Sequence, residues 1–275
     1  MDIVPLIKAV IKKTITRYGY ELRKTKTYTL DNMLIKEIDG LTYWDFLECY
    51  LSALSGPDFF FVQVGAHDGV SNRYDVLHDY IIRFKLRGLL IEPQARVFAL
   101  LQANYKGQSG LSFENAAIGH NNGSQQLYTI KKNLDFLTYA NEASSFSFDH
   151  LHKSLEEHLR HGAGNDVVQR VKELELSVDD CIEAETVDTY TFETVLSRHG
   201  VRRIDLLQID TEGFDYEVLK MANLTKFRPT LINYEHEHLG DPDQLECWRD
   251  LRALGYRLFT HDGDTCAYHA DWKAR

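Results

Sequence analysis

The sequence predicts an α/β fold with a largely parallel sheet covered on both faces, on three observations. From residue 58 onward, short apolar runs alternate with stretches of helical period, as buried parallel strands and their crossover helices do. The run Phe-Val-Gln-Val-Gly-Ala-His-Asp-Gly (61–69) stops abruptly in a Gly-x-x-x-Gly turn. A lone carboxylate, Glu92, ends the next run, Leu-Leu-Ile-Glu-Pro (89–93). Such a carboxylate accepts bonds from two ribose hydroxyls in a nucleoside pocket.

Each element can be justified in order. In residues 3–18, Ile3, Ile7, Val10, Ile11 and Tyr18 fall mostly at helical spacing with lysines opposite, a basic amphipathic helix. Residues 1–57 read as this helix and a lead-in, and 58–275 as the principal domain. Strand Asp58–Ala66 precedes helix Asn72–Arg87, and strand Gly88–Glu92 precedes helix Gln94–Tyr105. Leu111–Ile118 reads as a third strand and Gln125–Ile130 as a shorter one. Residues 131–166 lack a steady period, although Phe148–Arg160 suits a helix. An insertion of that length is often a lid. Its Phe136, Tyr139, Phe146 and Phe148 suit either an acceptor surface or a small core of their own. Leu174–Val178 reads as strand, Phe192–His199 as helix, Ile204–Asp210 as strand and Tyr216–Ala222 as helix. Strand Thr230–His236 and helix Asp241–Leu254 follow. Tyr256–Thr260 and Thr265–Tyr268 form a closing hairpin, which implies an antiparallel edge strand.

Composition narrows the classes. With 275 residues and 44% hydrophobic content the chain can bury a substantial core. No stretch has the length of a membrane span, and Lys8, Lys12 and Lys13 interrupt the only apolar N-terminal segment, so no secretory signal is read. Cys49, Cys181, Cys247 and Cys266 lack metal-finger spacing and read as reduced thiols of a cytoplasmic protein. The net charge of −10 is uneven: residues 1–27 carry seven Lys/Arg against two Asp/Glu, a +5 head on a −15 body. An acidic body argues against a nucleic-acid substrate. The basic head suits peripheral contact with the inner face of a membrane, docking on a twin subunit, or packing against its own domain.

The loops at the strand ends carry the chemistry. The Gly65–Gly69 turn should face the ligand with its amides available, but it lacks the Gly-Lys-Ser/Thr of a phosphate cradle and breaks the Gly-x-Gly-x-x-Gly dinucleotide fingerprint. A nucleoside without pyrophosphate fits better. After the third strand, Asn115 could meet an adenine amino group beside the small Ala116, or merely cap the strand end. Asp210 and Glu212, in Leu-Leu-Gln-Ile-Asp-Thr-Glu-Gly (206–213), sit where a reacting group would lie. Either could take a hydroxyl proton, while the alternative for Asp210 is to cap the following helix. Two carboxylates on one loop could also bind Mg²⁺ or Ca²⁺, but a metal-free base is favoured. Beyond the next strand, Glu235-His236-Glu237-His238 should share the rim. Alternation would send the two histidines to one side, making His236 a candidate base.

These residues together resemble the FkbM-type S-adenosylmethionine-dependent methyltransferases, from about residue 58 to 270. The resemblance rests on Val-Gly-Ala-His-Asp-Gly, Ile-Glu-Pro, Asn-Ala-Ala-Ile-Gly, Ala-Ser-Ser-Phe (143–146), Asp-Thr-Glu-Gly-Phe-Asp-Tyr-Glu-Val-Leu (210–219) and a terminal Gly-Asp-Thr (263–265). It implies a class I methyltransferase fold, Rossmann-like, with a seven-stranded sheet whose last strand is antiparallel. It also implies S-adenosylmethionine as cofactor and O-methylation of a small molecule, a sugar or polyketide-like acceptor. By position, Gln63, Gly65, Ala66, His67, Asp68 and Gly69 would line the methionine end. Glu92 would hold the ribose, Asn115 and Ala116 the adenine side, and Asp210 would border both donor and acceptor. Gln63 stands where the family usually has Asp, and His67 where Asn is common. An NAD-type oxidoreductase and a degenerate, non-catalytic scaffold are the alternatives.

Overall fold

The computed structural model describes residues 23–30, 33–39, 42–53, 58–70, 77–131, 133–134, 136–137, 144–261 and 263–269, with only the backbone in 23–39 and at residue 53. The basic segment 3–18 lies outside the described residues.

A hairpin, β1 (Arg23–Leu30) and β2 (Met33–Asp39), precedes helix α1 (Tyr43–Ala53). Then come β3 (Phe60–Val64), α2 (Leu77–Phe84), β4 (Arg87–Ile91), α3 (Ala95–Asn104) and β5 (Leu111–Glu114). Further along lie α7 (Phe192–Arg198), β10 (Leu206–Ile209), α8 (Asp215–Met221), α9 (Leu224–Phe227) and β11 (Leu231–Glu235). Helix α10 (Asp241–Ala253) and the hairpin β12 (Tyr256–His261) and β13 (Asp264–His269) close the chain.

Seven strands join in the order β12-β13-β11-β10-β3-β4-β5. Only β13 runs against its neighbours. The expected antiparallel strand is therefore present but not at the edge: it inserts between β11 and β12, where both sides of its ladder are paired. From β3 the chain winds outward through β4 and β5, then returns to the other side of β3 with β10. That reversal opens a crevice at the carboxyl ends of β3 and β10, the usual ligand position in an open α/β sheet.

Both sheet faces are apolar. Val62, Leu89, Leu207 and Ile232 pack on one face against Val195, Leu219 and Trp248 of α7, α8 and α10. Phe61, Leu90, Leu206 and Leu231 pack on the other against Leu47, Tyr50, Ile81 and Leu101. Residues before 58 thus cover part of the main sheet, although the sequence placed them in a lead-in. All four cysteines are buried and unbridged.

The expected third strand divides at Asn115. Its second part, β6 (Ala117–Ile118), joins β7 (Gly123–Ile130), β8 (Ser144–Ser145) and β9 (Ile182–Tyr190) in a separate sheet of order β6-β9-β7-β8. Between β8 and β9 lie α4 (Phe148–Glu157), a π-helical turn (His158–Gly162), α5 (Asn165–Glu173) and α6 (Val178–Cys181). The strand expected at 174–178 is instead a turn, with Glu175 at φ 52, running into a helix closed by a Ser177–Asp180 capping box. The true strand, β9, lies a few residues later. Its apolar signal is thin because Glu183, Glu185 and Asp188 are not buried.

Candidate functional site

A cavity of about 450 Å³ opens at the β3–β10 crevice. Its floor is built by a close approach of two backbones. Gly65 sits at φ +78, and a Cβ there would lie 1.7 Å from the Asp210 carbonyl oxygen. Only glycine lets β3 turn away this tightly. The loop does not offer its amides as expected. Gly65 and Ala66 donate to the Ile91 carbonyl, Gly69 to Ala66, and His67 to the Glu92 carboxylate. What the loop supplies is space, with the left-handed His67 (φ 47) in the cavity wall.

Glu92 is 4% exposed. One carboxylate oxygen accepts the His67 N–H (3.0 Å) and the other the Gln94 N–H (2.8 Å). Burial pushes its carboxyl up to about 7, while the two backbone bonds and His67 pull against that shift. Asn115 acts behind this wall: its amide donates to the Glu92 (2.8 Å) and Pro93 (3.0 Å) carbonyls, and Ala116 and Ala117 form the lining. Gln63, Ala66, Asp68 and Gly69 are not brought to the cavity. Gln63 is buried inside the sheet beside Gln208, and Ala66 packs in the core. Asp68 accepts from Val70 N in its own turn (2.9 Å), and Gly69 makes room for Tyr105 and Leu101.

Asp210 and Glu212 both line the cavity. Asp210 does not cap the next helix. The N-cap there is Phe214, without a side-chain cap bond, while Asp215, fully buried in the first turn of α8, accepts Thr211 N (3.2 Å), Thr211 Oγ1 (2.9 Å) and Glu235 N (3.2 Å). Asp215 thereby fastens the 211–213 loop to the end of β11, leaving Asp210 to face the cavity and Glu212 in a left-handed conformation (φ 52). Burial raises the Asp210 carboxyl well above the usual range, and Glu235 and Glu212 add to the effect. Glu235 is raised too, by burial and then by Glu212.

His236 does not join them. Strand β11 ends at Glu235 and the chain turns at once, Leu239 N donating to His236 O (3.1 Å), so strand alternation stops one residue too early to align the two histidines. His236 points to Thr265 (3.0 Å) and the Trp248 ring, where burial lowers its pKa. His238 is the one that reaches the carboxylates, 3.4 Å from Glu212 and 3.6 Å from Glu235. The signal for Glu235 and Asp215 was in the sequence: Leu231, Asn233 and Glu235 share a strand face by period 2, and Asp215 is a carboxylate within an apolar helix turn.

The insertion closes the cavity from above. Ser144, Ser145, Phe146, Ser147 and His150 contribute to its lining, and Phe146 meets Phe214 edge to face at 5.7 Å. Phe136 and Phe148 instead pack with Leu151, Leu155 and Ile182 in a core of the insertion's own. The aromatic residues thus divide between the two roles; Tyr139 lies outside the described residues.

A family model described as the Methyltransferase FkbM domain matches residues 63–258. No curated protein matches the chain significantly. Among solved structures, a Methanococcus jannaschii fibrillarin pre-rRNA processing protein is 11% identical at TM-score 0.37, over 92% of this chain and 85% of its own. A METTL16 methyltransferase domain is 10% identical at TM-score 0.40, over 95% and 80%. An S-adenosylmethionine-dependent methyltransferase from Agrobacterium tumefaciens is 8% identical at TM-score 0.38, over 91% and 72%.

Proposed function

The chain belongs to the FkbM methyltransferase family, with a class I Rossmann-like fold and S-adenosylmethionine as cofactor, and from that premise we propose that it methylates a hydroxyl of a small molecule, a sugar or glycan precursor. The observation that carries this reading is the mixed polar and aromatic lining that the insertion and the 210–214 segment give the cavity. Ser144, Ser145, Ser147 and His150 supply hydrogen-bonding groups there, and Phe146 and Phe214 supply flat apolar faces. A polyhydroxylated ring needs both.

The residues fit the cofactor. Gly65 lets the β3 and Asp210 backbones meet and lines the cavity with bare main chain, and the two oxygens of Glu92 are fixed by backbone bonds, ready to accept ribose hydroxyls. His67 would border the methionine end and Ala116 the adenine. When bound, S-adenosylmethionine supplies a methyl carbon made electrophilic by its sulfonium. Asp210 would take the proton that the acceptor hydroxyl loses as its oxygen replaces sulfur on the methyl carbon. A cation in the cavity draws the Asp210 carboxyl toward its ionised form, the form a base requires. Phe146 and the lid helix α4 keep water from the reacting atoms.

Incubation with methyl-labelled S-adenosylmethionine and a panel of sugars and nucleotide sugars tests the reading. Label is expected in an alkali-stable methyl ether. Label found only in an alkali-labile ester or on nitrogen would remove the hydroxyl assignment. NADH binding with no S-adenosylhomocysteine binding would remove the donor pocket as well.

A further inference from the structure

Beside the donor cavity, on the side away from Glu92, three side chains of metal-ligating type converge. One ligand atom each from Glu212, Glu235 and His238 lies within 4.8 Å of the other two. They come from two separate segments, the 210–213 loop and the end of β11 with the turn after it, which Asp215 holds together through Thr211 and the Glu235 amide.

A second observation points the same way. Gln63, Gln208 and Asn233 stand side by side across β3, β10 and β11, one row inward from Asp210 and Glu235 on the same sheet face. Gln208 and Asn233 are 3% and 0% exposed, yet Gln208 Oε1 and Asn233 Oδ1 have no hydrogen-bond partner, and neither does Glu235 Oε2. Buried acceptors in excess of donors are costly unless a donor or a cation answers them. Asp264, opposite Glu235 in the β11–β13 ladder, adds another carboxylate to the same corner.

We propose that Glu212, Glu235 and His238 bind one divalent transition-metal ion at the acceptor end of the cavity. Two carboxylates with one imidazole suit Mn²⁺, Fe²⁺ or Zn²⁺ better than Mg²⁺, which prefers oxygen ligands alone. His150 of the lid lines the cavity beside Gly213, its ring centroid 6.2 Å from that of His238, so the site also adjoins the element that covers the acceptor. The ion's role rests on the hydroxyl-methylation reading: an acceptor oxygen held by the ion gives up its proton to Asp210 more readily. The existence of the site does not rest on it.

Binding of Mn²⁺ to the full chain, followed by electron paramagnetic resonance and calorimetry, tests the site without any acceptor. One Mn²⁺ per chain is expected. Glu212→Gln, Glu235→Gln and His238→Ala should each weaken it by at least about tenfold, since even outer-shell partners of a metal are worth that much. His120→Ala, at an exposed histidine paired with Glu217 outside the cluster, should bind as wild type does. S-adenosylhomocysteine binding by every variant checks that its fold is intact. No saturable Mn²⁺ binding by a wild-type chain that binds S-adenosylhomocysteine would overturn the metal site and leave the donor pocket standing. Folded variants that keep wild-type Mn²⁺ affinity would overturn it equally. Mn²⁺ binding that the three variants lose, in a chain that never binds S-adenosylhomocysteine, would uphold the metal site and remove the donor reading instead.

Discussion

On the β3–β4 side of the cavity, Glu92 accepts backbone N–H bonds from His67 and Gln94, and Asn115 ties down the chain behind it. On the β10–β11 side, burial raises the carboxyls of Asp210 and Glu235, Glu212 adds to both, and His238 stands beside Glu212 and Glu235. The side proposed for the donor is therefore assembled by the protein's own amides before any ligand arrives. The acceptor side crowds buried carboxyls whose charge is held down by protons until a cation arrives. A pocket that must recognise one invariant cofactor profits from a rigid frame. A group that must accept a proton and release it profits from a pKa that a neighbouring charge can move.

The sharpest break between the two sides is expected at Asp210. Asp210→Asn should cut turnover by about 10²- to 10⁴-fold, the usual worth of a positioned base, while S-adenosylhomocysteine binds within a few-fold of wild type. Near-normal turnover in single-turnover assays would strike Asp210 from its role. On the donor side, Gly65→Ala should cost about 3 kcal/mol or more in urea unfolding, because its Cβ meets a backbone carbonyl and its φ is positive. Gly213→Ala, whose Cβ would lie 3.3 Å from the His238 carbonyl, should cost less. Equal costs would mean that the donor floor is no tighter than the acceptor loop.

Glu92→Gln should weaken S-adenosylhomocysteine about 10- to 100-fold, the worth of one or two hydrogen bonds to a charged acceptor. Calorimetry would contradict this if affinity stayed the same. Glu92 also predicts a pH effect with a definite sign. Its folded pKa of about 7 lies above its ordinary 4.5, so the folded chain binds the extra proton between those values. The stability this contributes is complete below about 4.5 and is lost as pH rises through 7. The melting temperature of wild type relative to Glu92→Gln should therefore fall from about pH 5 to pH 8; a flat difference would show that Glu92 is not shifted. The smallest effect is expected at the lid. Phe146→Ala should raise the acceptor KM several-fold, by about 1 kcal/mol of lost ring contact, with S-adenosylhomocysteine affinity unchanged. A change confined to cofactor affinity would move Phe146 to the donor side.

Much of the donor side could be read in the sequence because its elements are local. The Gly65 turn, Glu92 at a strand end and Ala116 after the next strand are each fixed by a few consecutive residues. Reading failed where a side chain's direction depended on distant packing. Asn115, open between an adenine contact and a strand-end cap, ties the Glu92 and Pro93 carbonyls, and Asp68 bonds within its own turn. His236 looked like a base, yet the turn after Glu235 directs it to Thr265. Strand β9 was misplaced because half of its surface meets solvent, which weakens the apolar pattern on which strand reading depends.

The sequence by itself determined the α/β class, the edge of the sheet where the cavity opens, and Gly65, Glu92 and Asp210 as residues that line it. Hydrophobic periodicity and glycine's freedom at positive φ act over short stretches of chain. Only the tertiary structure decided that β13 inserts between β11 and β12, that Asp215 pins the loop bearing Glu212, and that His238 meets Glu212 and Glu235. Those outcomes depend on which segments become neighbours across the sheet, and no local pattern encodes the distance between residues that far apart in the chain.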